Sequence, residues 1–430
     1  MIPSARISAA IEVLEAIERE HRPAAEALKD WGRAHRFAGS KDRTAIGTLV
    51  FDAMRRKASS AYVMGDESPR AVLLGALKLV RGLSVEEIEA LFSGVQHAPA
   101  VLTDAERERL TNGTLDDAPA HIQGDFPEWL AEGFAAAFGE HAVAEGRALA
   151  ERAPVDLRIN VLKADREKAM KQIAHLDPEE TLYAPNCLRI AIGPDGRGPA
   201  LSAEPAYVKG LVEVQDEGSQ LVTLLSGAQP GQQVLDLCAG GGGKTLARAA
   251  MMDNRGQIYA TDSDGRRLMP IFARLERAAA RNVQVRAPRG QQDVLADLEG
   301  RCDLVLVDAP CTGTGTWRRN PDAKWRMRPG ALDQRIKDQD RVLEEAARHV
   351  KSGGALCYIT CSVLRAENED RVNAFLEAHP NFLPRDAAHM ARKAGMPQLA
   401  DFASPFGPGL RLTPRTTGTD GFYVAVLVKS

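Results

Sequence analysis

Two cysteines come shortly after apolar segments that have the pattern of β-strands. Cys311 stands four residues after the segment 303–307, and Cys361 directly follows the segment 355–360. A thiolate is a nucleophile that can add to an electrophilic carbon and later be expelled. This chemistry suits attack on C6 of a cytosine or uracil ring, which makes C5 of the ring a carbon nucleophile.

The four other cysteines do not show this pattern. Cys302 and Cys357 stand just before or inside strand-like segments, so we expect them to pack in the core, and Cys238 borders a glycine-rich turn. No pair has the Cys-x-x-Cys spacing and no histidine cluster lies nearby. We therefore predict neither a disulfide framework nor a bound metal.

Asp308, three residues before Cys311, is the candidate for binding the base. Addition of a thiolate at C6 requires the ring to accept electron density. A carboxyl group hydrogen-bonded to the N3/N4 edge of the ring would favour this step. A carboxylate at this position could also cap the turn that follows the strand, and both interpretations stay open.

A glycine-rich turn follows another strand-like segment and opens a helix. Its residues are Cys238, Ala239, Gly240, Gly241, Gly242, Gly243 and Lys244. A Walker A loop would need glycine where Cys238 stands, and a dinucleotide fingerprint would need glycine where Thr245 stands. Both phosphate-binding patterns therefore fail by one residue, which leaves a nucleoside site or a purely structural turn.

Asp262 favours the nucleoside site. It stands at the end of the next strand-like segment, 18 residues after Lys244. A carboxylate at about this spacing can hold the hydroxyl groups of a ribose. We therefore predict that Asp262 and the turn 238–244 bind one ligand.

Strands and helices alternate after Gly231. The predicted strands cover residues 234–237, 258–261, 283–285, 303–307 and 355–360, and the helices cover residues 245–252, 266–281 and 332–350. Apolar strands that alternate with helices indicate a doubly wound parallel sheet, which binds ligands at the carboxyl ends of its strands.

The first part of the chain has a different pattern. Residues 4–110 show apolar side chains at helical spacing, and Ser84 to Glu87 has the pattern of a capping box. Residues 101–150 contain 10 acidic against 3 basic side chains, so we expect a solvated helical connector there. From residue 155 a period-two pattern begins, with predicted strands at 155–161, 187–192 and 208–214. This predicts a small α+β module.

The charge balance limits how the protein can bind nucleic acid. With 55 basic and 58 acidic side chains the formal net charge is −3, so RNA contacts must come from local patches. Four glutamates in the first 20 residues exclude a secretory signal, and the longest uncharged stretch is too polar to span a membrane. We expect a cytoplasmic protein without membrane contact.

One local patch lies just after Cys311. Residues 317–328 hold five basic side chains with Trp317 and Trp325 between them. Positive charge and flat rings are what single-stranded RNA binding needs, so we predict an RNA contact here rather than a solvated loop with its tryptophans in the core. Arg55, Arg56 and Lys57 form a second basic patch or a solvated helix end.

Together the motifs resemble the RsmB/Nop2–Sun family of S-adenosylmethionine-dependent RNA cytosine-5 methyltransferases, most closely its bacterial RsmB-like branch. The resemblance is carried by Val212-Glu213-Val214-Gln215-Asp216, residues 234–245, Asp308-Ala309-Pro310-Cys311, residues 318–325, residues 358–364 with Glu367-Asn368, and Asp420-Gly421-Phe422-Tyr423. More weakly, the first helices are similar to a NusB-type RNA-binding domain.

The resemblance implies the roles of the candidate residues. Cys361 would be the nucleophile that forms the C6 adduct, and Cys311 would assist release of the product. Asp308 would bind the cytosine edge and lie against the cofactor. Residues 238–244 and Asp262 would hold S-adenosylmethionine, with Lys244 reaching towards the active site.

The resemblance also implies the fold and the partner. We expect an all-α NusB-like RNA-binding domain (1–118), a small α+β RNA-binding module (119–212) and a Rossmann-like methyltransferase domain (213–430). The expected protein is a monomer that methylates C5 of a cytosine in small-subunit ribosomal RNA. The alternatives are a non-catalytic RNA-binding assembly factor, and a methyltransferase that acts on transfer RNA or DNA.

The sequence departs from the family pattern in two places. Gly240 and Gly241 stand where the family usually has Ala-Pro, which predicts a more flexible turn. The stretch 285–291, beside the expected adenine position, has no carboxylate, and the next one is Asp293.

Overall fold

The computed structural model describes residues 1–193, 196, 198–290 and 292–430. The chain forms two compact units. The first consists of Met1–Ala153, Ile192–Arg197 and Trp317–Arg328, and the second consists of Pro154–Ala191, Gly198–Thr316 and Pro329–Ser430.

The α-helices of the described residues are numbered in chain order. They are α1 Pro3–Glu20, α2 Ala24–Ala34, α3 Ser40–Arg55, α4 Lys57–Met64, α5 Pro69–Leu79, α6 Val85–Leu91, α7 Asp104–Asn112, α8 Ala120–Gln123, α9 Ala131–Phe138, α10 Ala142–Ala150, α11 Arg166–Ile173, α12 Pro205–Val208, α13 Glu217–Leu225, α14 Gly243–Met251, α15 Gly265–Ala278, α16 Ala323–Arg326, α17 Gly330–His349, α18 Glu369–Ala378, α19 Ala387–Lys393 and α20 Pro414–Thr417.

The strands of the described residues are numbered in the same way. They are β1 Val155–Ile159, β2 Glu179–Glu180, β3 Cys187–Ile190, β4 Val212–Val214, β5 Gln233–Asp236, β6 Gln257–Ala260, β7 Val283–Val285, β8 Cys302–Asp308, β9 Val350–Thr360, β10 Phe382–Pro384, β11 Leu410–Leu412 and β12 Phe422–Lys429.

The first unit is helical, as the apolar spacing predicts. Leu14 of α1, Ile46 of α3 and Leu74 of α5 are fully buried in one core that the first six helices share. The predicted capping box is also confirmed, because Ser84 and Glu87 exchange hydrogen bonds of 2.8 and 3.2 Å at the start of α6. Ser68 and Ser84 cap the first turns of α5 and α6, whereas α1 to α4 have no side-chain cap among the described residues. The feature that these six helices share is therefore the apolar stripe that they bury.

The segment Trp317–Arg328 belongs to the helical unit, and the prediction that it contacts RNA is wrong for Trp317. Trp317 is only 1% exposed and stacks on Phe134 with ring centroids 5.8 Å apart. Trp325 packs on the helical core, and its Nε1 donates to the carbonyl of Met54 at 2.6 Å. Trp317 is therefore held inside the protein and Trp325 is partly buried, because large aromatic surfaces gain free energy when they are removed from water.

Two basic side chains predicted to lie on the surface are buried as well. Lys324 is 1% exposed, and its ammonium group donates to the carbonyls of Arg55 and Asp125 at 2.8 and 2.6 Å. Arg55 donates to the carbonyls of Glu151 and Arg318 at 2.8 and 2.6 Å. Arg55 therefore belongs neither to a surface patch nor to a solvated helix end. Its hydrogen bonds connect separate segments of the helical unit.

Burial of Lys324 has an electrostatic cost. Burial lowers the pKa of its ammonium group to about 7, and the positive charges of Arg55 and Arg56 act in the same direction. Below this pH the helical unit contains a buried cation, and above it the amine is neutral.

We expect the helical unit to become more stable from pH 7 to pH 9. The unfolded chain keeps the lysine proton in this range while the folded protein releases it, so the free energy of unfolding rises with pH by about 2 kcal/mol. Thermal unfolding followed by tryptophan fluorescence measures this rise. In the Lys324→Met variant the amine is absent, so we expect no such rise in the free energy of unfolding. An equal rise in the variant would contradict the role of Lys324 in the pH dependence.

The second unit contains two sheets. The smaller one has the order β2-β3-β1-β4 with antiparallel pairing, and α11 packs on it through Ala169 and Ile173. Two predicted strands are confirmed with shorter bounds, as β1 and β3. The third, predicted at 208–214, is reduced to β4, because Val208 ends the short helix α12 and Gly210 has a φ angle of 69°, which a strand does not adopt.

The larger sheet has the order β10-β12-β9-β8-β5-β6-β7, with β11 beside β12. Strands β7, β6, β5, β8 and β9 are parallel, as predicted, and helices alternate with them in the chain. The prediction misses an antiparallel part, since β12 pairs antiparallel with β9, β10 and β11. Strand β12 is as apolar as a buried parallel strand, so its composition does not reveal its direction.

The order of the parallel strands places four of their carboxyl ends side by side. Strands β9, β8, β5 and β6 are consecutive neighbours in the sheet and end at Thr360, Asp308, Asp236 and Ala260. The segments that follow these residues therefore meet at one edge of the sheet.

Candidate active site at the carboxyl ends of the parallel strands

The two predicted cysteines lie together at this edge. The sulfur atoms of Cys311 and Cys361 are 3.3 Å apart, and one thiol donates a hydrogen bond to the other. Both side chains are partly exposed. Parallel pairing of β8 with β9 brings the two loops together, although 50 residues separate the cysteines in the chain.

The environment makes the two thiols different. The hydrogen bond to Cys361 and burial raise the pKa of the Cys311 thiol well above its ordinary value, and the negative charge of Glu367 adds to this. Cys311 therefore holds its proton more tightly than an ordinary thiol does.

The remaining cysteines have the surroundings of core residues. Burial raises the pKa of the Cys302 and Cys357 thiols to about 12 and also raises that of Cys238. All six cysteines are free. Thiols held in the protonated form are unreactive, which agrees with the predicted packing role of Cys302 and Cys357.

Asp308 ends β8 beside the cysteine pair. One of its oxygens accepts a hydrogen bond from the ammonium group of Lys244 at 2.7 Å. In the described part of the chain no backbone N–H donates to the carboxylate of Asp308, so the alternative role of this side chain as a turn cap has no support. Lys244 also lies 5.4 Å from the ring centroid of Phe422. This ion pair connects the glycine turn to the cysteine loops.

The glycine turn is shaped by its backbone. Gly240 and Gly242 have φ angles of 49° and 82°, in the region that favours glycine. A Cβ at Gly242 would lie 2.4 Å from the side chain of Ile271, so only glycine fits there. The backbone N–H of Ala239 donates to the carbonyl of Thr261 at 2.8 Å, and that of Gly242 donates to the carbonyl of Ala239 at 2.9 Å. The turn therefore passes tightly from β5 into α14.

Asp262 lies directly against this turn, as predicted. It is only 2% exposed and accepts the N–H of Gly240 at 3.0 Å and that of Asp264 at 3.1 Å. Arg267 makes an ion pair with it at 3.2 Å. A carboxylate offers about four lone-pair positions, and the two backbone N–H groups occupy two of them.

The residues that hold the turn from behind are not among the predicted site residues. Arg274 donates to the carbonyl of Gly241 at 2.8 Å and bonds to Glu213 at 3.2 Å. Arg277 donates to the same buried carboxylate at 2.6 Å. Glu213 belongs to a motif named in the resemblance, but nothing in its spacing indicates that it anchors α15 and the turn.

The first carboxylate after the stretch beside the expected adenine position is that of Asp293. Asp293 accepts the N–H of Leu295 at 2.9 Å and so caps a local turn. Gln291, the last residue of the stretch without carboxylates, lies outside the described residues.

Neither a metal cluster nor a membrane span is found in residues 1–193, 196, 198–290 and 292–430. No group of three or more His, Cys, Asp or Glu side chains there is arranged to hold a metal ion. No helix there has both the length and the apolar character that crossing a membrane requires.

Comparisons with known proteins agree with the geometry. The family model "16S rRNA methyltransferase RsmB/F" matches residues 222–428, and a model for the ferredoxin-like domain of RsmF/B-like methyltransferases matches residues 126–194. Ribosomal RNA small subunit methyltransferase B of Xylella fastidiosa is 31% identical over 418 residues, 90% of this chain and 92% of the relative. The protein of the same name from Sodalis glossinidius is 30% identical and covers 84% of this chain and 77% of the relative.

Two solved structures share the fold. PH0851 aligns over 100% of this chain and 99% of its own with a TM-score of 0.72 and 24% identity. NSun6 from Pyrococcus horikoshii aligns over 71% of this chain and 98% of its own with a TM-score of 0.60 and 21% identity.

The fold and the site define an α/β methyltransferase with two cysteines at its centre. The chain belongs to the RsmB/F family, in the RsmB/Nop2/Sun group of S-adenosylmethionine-dependent RNA methyltransferases. Its cofactor is S-adenosylmethionine, and the residues present fit this group. The buried carboxylate of Asp262, the glycine turn with its two positive φ angles and the nearby Asp308 form a surface suited to a nucleoside.

We expect Asp262→Asn to weaken the binding of S-adenosylmethionine by about tenfold or more. The amide removes the negative charge that hydroxyl groups would bond to, and hydrogen bonds to charged groups contribute about 1.5–3 kcal/mol. Titration calorimetry measures the affinity. The matched control is Asp253→Asn, a mostly exposed aspartate, and equal affinities of the two variants would contradict the role of Asp262.

We expect iodoacetamide to modify Cys361 before Cys311 at neutral pH, because Cys311 holds its proton. Cys361→Ala removes the hydrogen bond and the neighbouring charge, so the pKa of Cys311 falls and its alkylation becomes faster. Each unit by which the pKa of the thiol falls increases its thiolate fraction about tenfold. Peptide mass spectrometry gives both rates, with Cys357→Ala as the control. Faster labelling of Cys311 in the unaltered protein would contradict this order.

Proposed function

We propose that the protein is an RNA cytosine-5 methyltransferase that modifies a cytosine of small-subunit ribosomal RNA. The observation that carries the proposal is the pair of sulfurs 3.3 Å apart beside Asp308. Transfer of a methyl group to C5 requires a nucleophile that adds to C6 and is later released. Two thiols with different proton affinities supply both functions. The names of the relatives, ribosomal RNA small subunit methyltransferase B, support the substrate class.

In the proposed first step, the thiolate of Cys361 adds to C6 of the cytosine. A bond forms between sulfur and C6, and the electron pair of the C5–C6 double bond moves to C5. Asp308 is proposed to bind the N3/N4 edge of the base and so to orient the ring for the attack. Lys244 holds the Asp308 carboxylate at 2.7 Å and so fixes its position.

S-adenosylmethionine, when bound, supplies an electrophilic methyl group. The proposed holding residues are Cys238, Ala239, Gly240, Gly241, Gly242, Gly243, Lys244, Asp262 and Asp308. Asp262 is proposed to bind the ribose, and the backbone of the turn is proposed to lie against the amino-acid portion. Because Lys244 and Asp308 form one ion pair, the positions of the cofactor and of the base are linked.

In the release step C5 loses its proton to solvent, and the bond between C6 and sulfur breaks. The sulfur of Cys361 departs as a thiolate, and C5–C6 becomes a double bond again. The Cys311 thiol is proposed to assist by donating its hydrogen bond to the departing sulfur. Its raised pKa keeps that proton available. The arrangement of Cys311, Cys361 and Asp308 in one site favours an enzyme over a non-catalytic assembly factor.

The proposal predicts different effects of the two cysteines. With unmodified ribosomal RNA transcript and labelled S-adenosylmethionine, Cys361→Ala abolishes transfer to C5 of cytosine, because the C6 adduct cannot form. Cys311→Ala slows release and leaves protein covalently bound to RNA, which denaturing gel electrophoresis detects. Cys357→Ala, in the core, is the control.

The other outcomes separate the alternatives. No transfer by the unaltered protein, to free RNA or to assembling subunits, would indicate an assembly factor. Preferred transfer to transfer RNA or DNA in a competition assay would change the substrate class. Activity that survives Cys361→Ala but not Cys311→Ala would exchange the roles of the two cysteines.

A further inference from the structure

A fully buried carboxylate lies behind the two cysteine loops. Glu367 is 0% exposed and ends a short 3-10 turn that follows β9. Removing a charged carboxylate from water is costly unless its oxygens are hydrogen-bonded. The candidate roles of the catalytic residues do not explain why the chain buries a carboxylate here.

All contacts of this carboxylate come from neutral donors. One oxygen accepts the N–H of Thr312 at 2.8 Å and the side-chain amide of Gln339 at 3.0 Å. The other accepts the hydroxyl groups of Thr312 and Ser362. Among the described residues no lysine, arginine or histidine forms an ion pair with Glu367. Four donors fill the positions that a carboxylate offers.

The positions of these donors in the chain are informative. Thr312 directly follows Cys311, and Ser362 directly follows Cys361. One carboxylate therefore binds the residue next to each cysteine, on two loops that follow different strands. Gln339 extends the connection, since the same amide group donates to the carbonyl of Pro310 at 3.0 Å. Cys311 is thus held on both sides.

Glu367 is itself held in place. Its backbone carbonyl accepts the hydroxyl of the buried Tyr358 at 2.7 Å. The next residue, Asn368, donates to the carbonyl of Ser362 at 2.9 Å. The carboxylate therefore has little freedom to move, and a shift of one cysteine loop would break bonds that also hold the other.

We propose that Glu367 is a positioning residue that fixes the distance between the sulfurs of Cys311 and Cys361 and keeps the shared proton on Cys311. The inference rests on the proposed function for its effect on the reaction, but the arrangement of the thiols can be measured without it. The negative charge of Glu367 disfavours a thiolate at Cys311. Cys361 is then the sulfur that can carry the negative charge and attack.

The first test is Glu367→Gln, which keeps the shape of the side chain and removes its charge. The expected result is a fall in kcat of about tenfold to a hundredfold, the effect of small errors in the position of reacting groups, with the affinity for S-adenosylmethionine unchanged. In addition, alkylation of Cys311 becomes faster relative to Cys361. The matched control is Glu344→Gln, which alters a largely exposed partner of His379.

A second set of variants applies if Glu367→Gln does not fold. Thr312→Val and Ser362→Ala each remove one hydroxyl from the carboxylate and leave the charge in place. We expect each to lower kcat, and the double variant to lower it by less than the product of the two effects, because both hydroxyls act through one group.

The outcomes distinguish the positioning role from the proposed function. If the unaltered protein transfers no methyl group, the proposed function fails, while the alkylation rates still test Glu367. An unchanged kcat together with an unchanged order of cysteine alkylation in Glu367→Gln would overturn the inference. Loss of S-adenosylmethionine affinity in step with kcat would also overturn it, since this would indicate a general structural defect.

Discussion

The parallel pairing of β8 with β9 is the interaction on which the site depends. It places Asp308 opposite Ile359, so both strands end at the same edge of the sheet. Hydrogen bonds continue past the strands, from Ala309 to Ile359 at 2.8 Å and from Gly315 to Cys361 at 2.9 Å. Without this register the two sulfurs could not meet, because side chains on separate loops approach only as closely as their strands allow.

Around this pairing the protein places charges where water is largely excluded. Asp236 is fully buried beneath the glycine turn and accepts the hydroxyl of Thr245 at 2.7 Å, and burial raises the pKa of its carboxyl group. Glu367 is buried behind the cysteine loops. Burying such groups lowers stability unless they are hydrogen-bonded. Here the bonds also fix a site that must hold a base and a cofactor within a few tenths of an ångström.

Residues 317–328 show why composition can mislead. Basic side chains with interleaved tryptophans are typical both of an RNA-binding surface and of a segment that packs into a core. Which of the two forms depends on whether the fold offers an apolar surface against which the rings can pack. Here Phe134 and the helical core provide that surface. Lys324 can also be buried, because its ammonium group donates hydrogen bonds to the carbonyl oxygens of Arg55 and Asp125. None of these partners is near in sequence.

Local patterns in the sequence determined most of the secondary structure and the identity of the central site residues. Apolar segments that alternate with helices predict β5 to β9, and the cysteines, Asp308, Asp262 and the glycine turn follow strand ends, where such sheets bind ligands. Only the tertiary structure decided the antiparallel direction of β12, the burial of Trp317 and Lys324, and the contacts of Glu367. The reason is physical: an element forms from side chains a few residues apart, whereas a buried polar group needs partners from distant segments. Glu367 and Thr312 are 55 residues apart, and only packing brings them together.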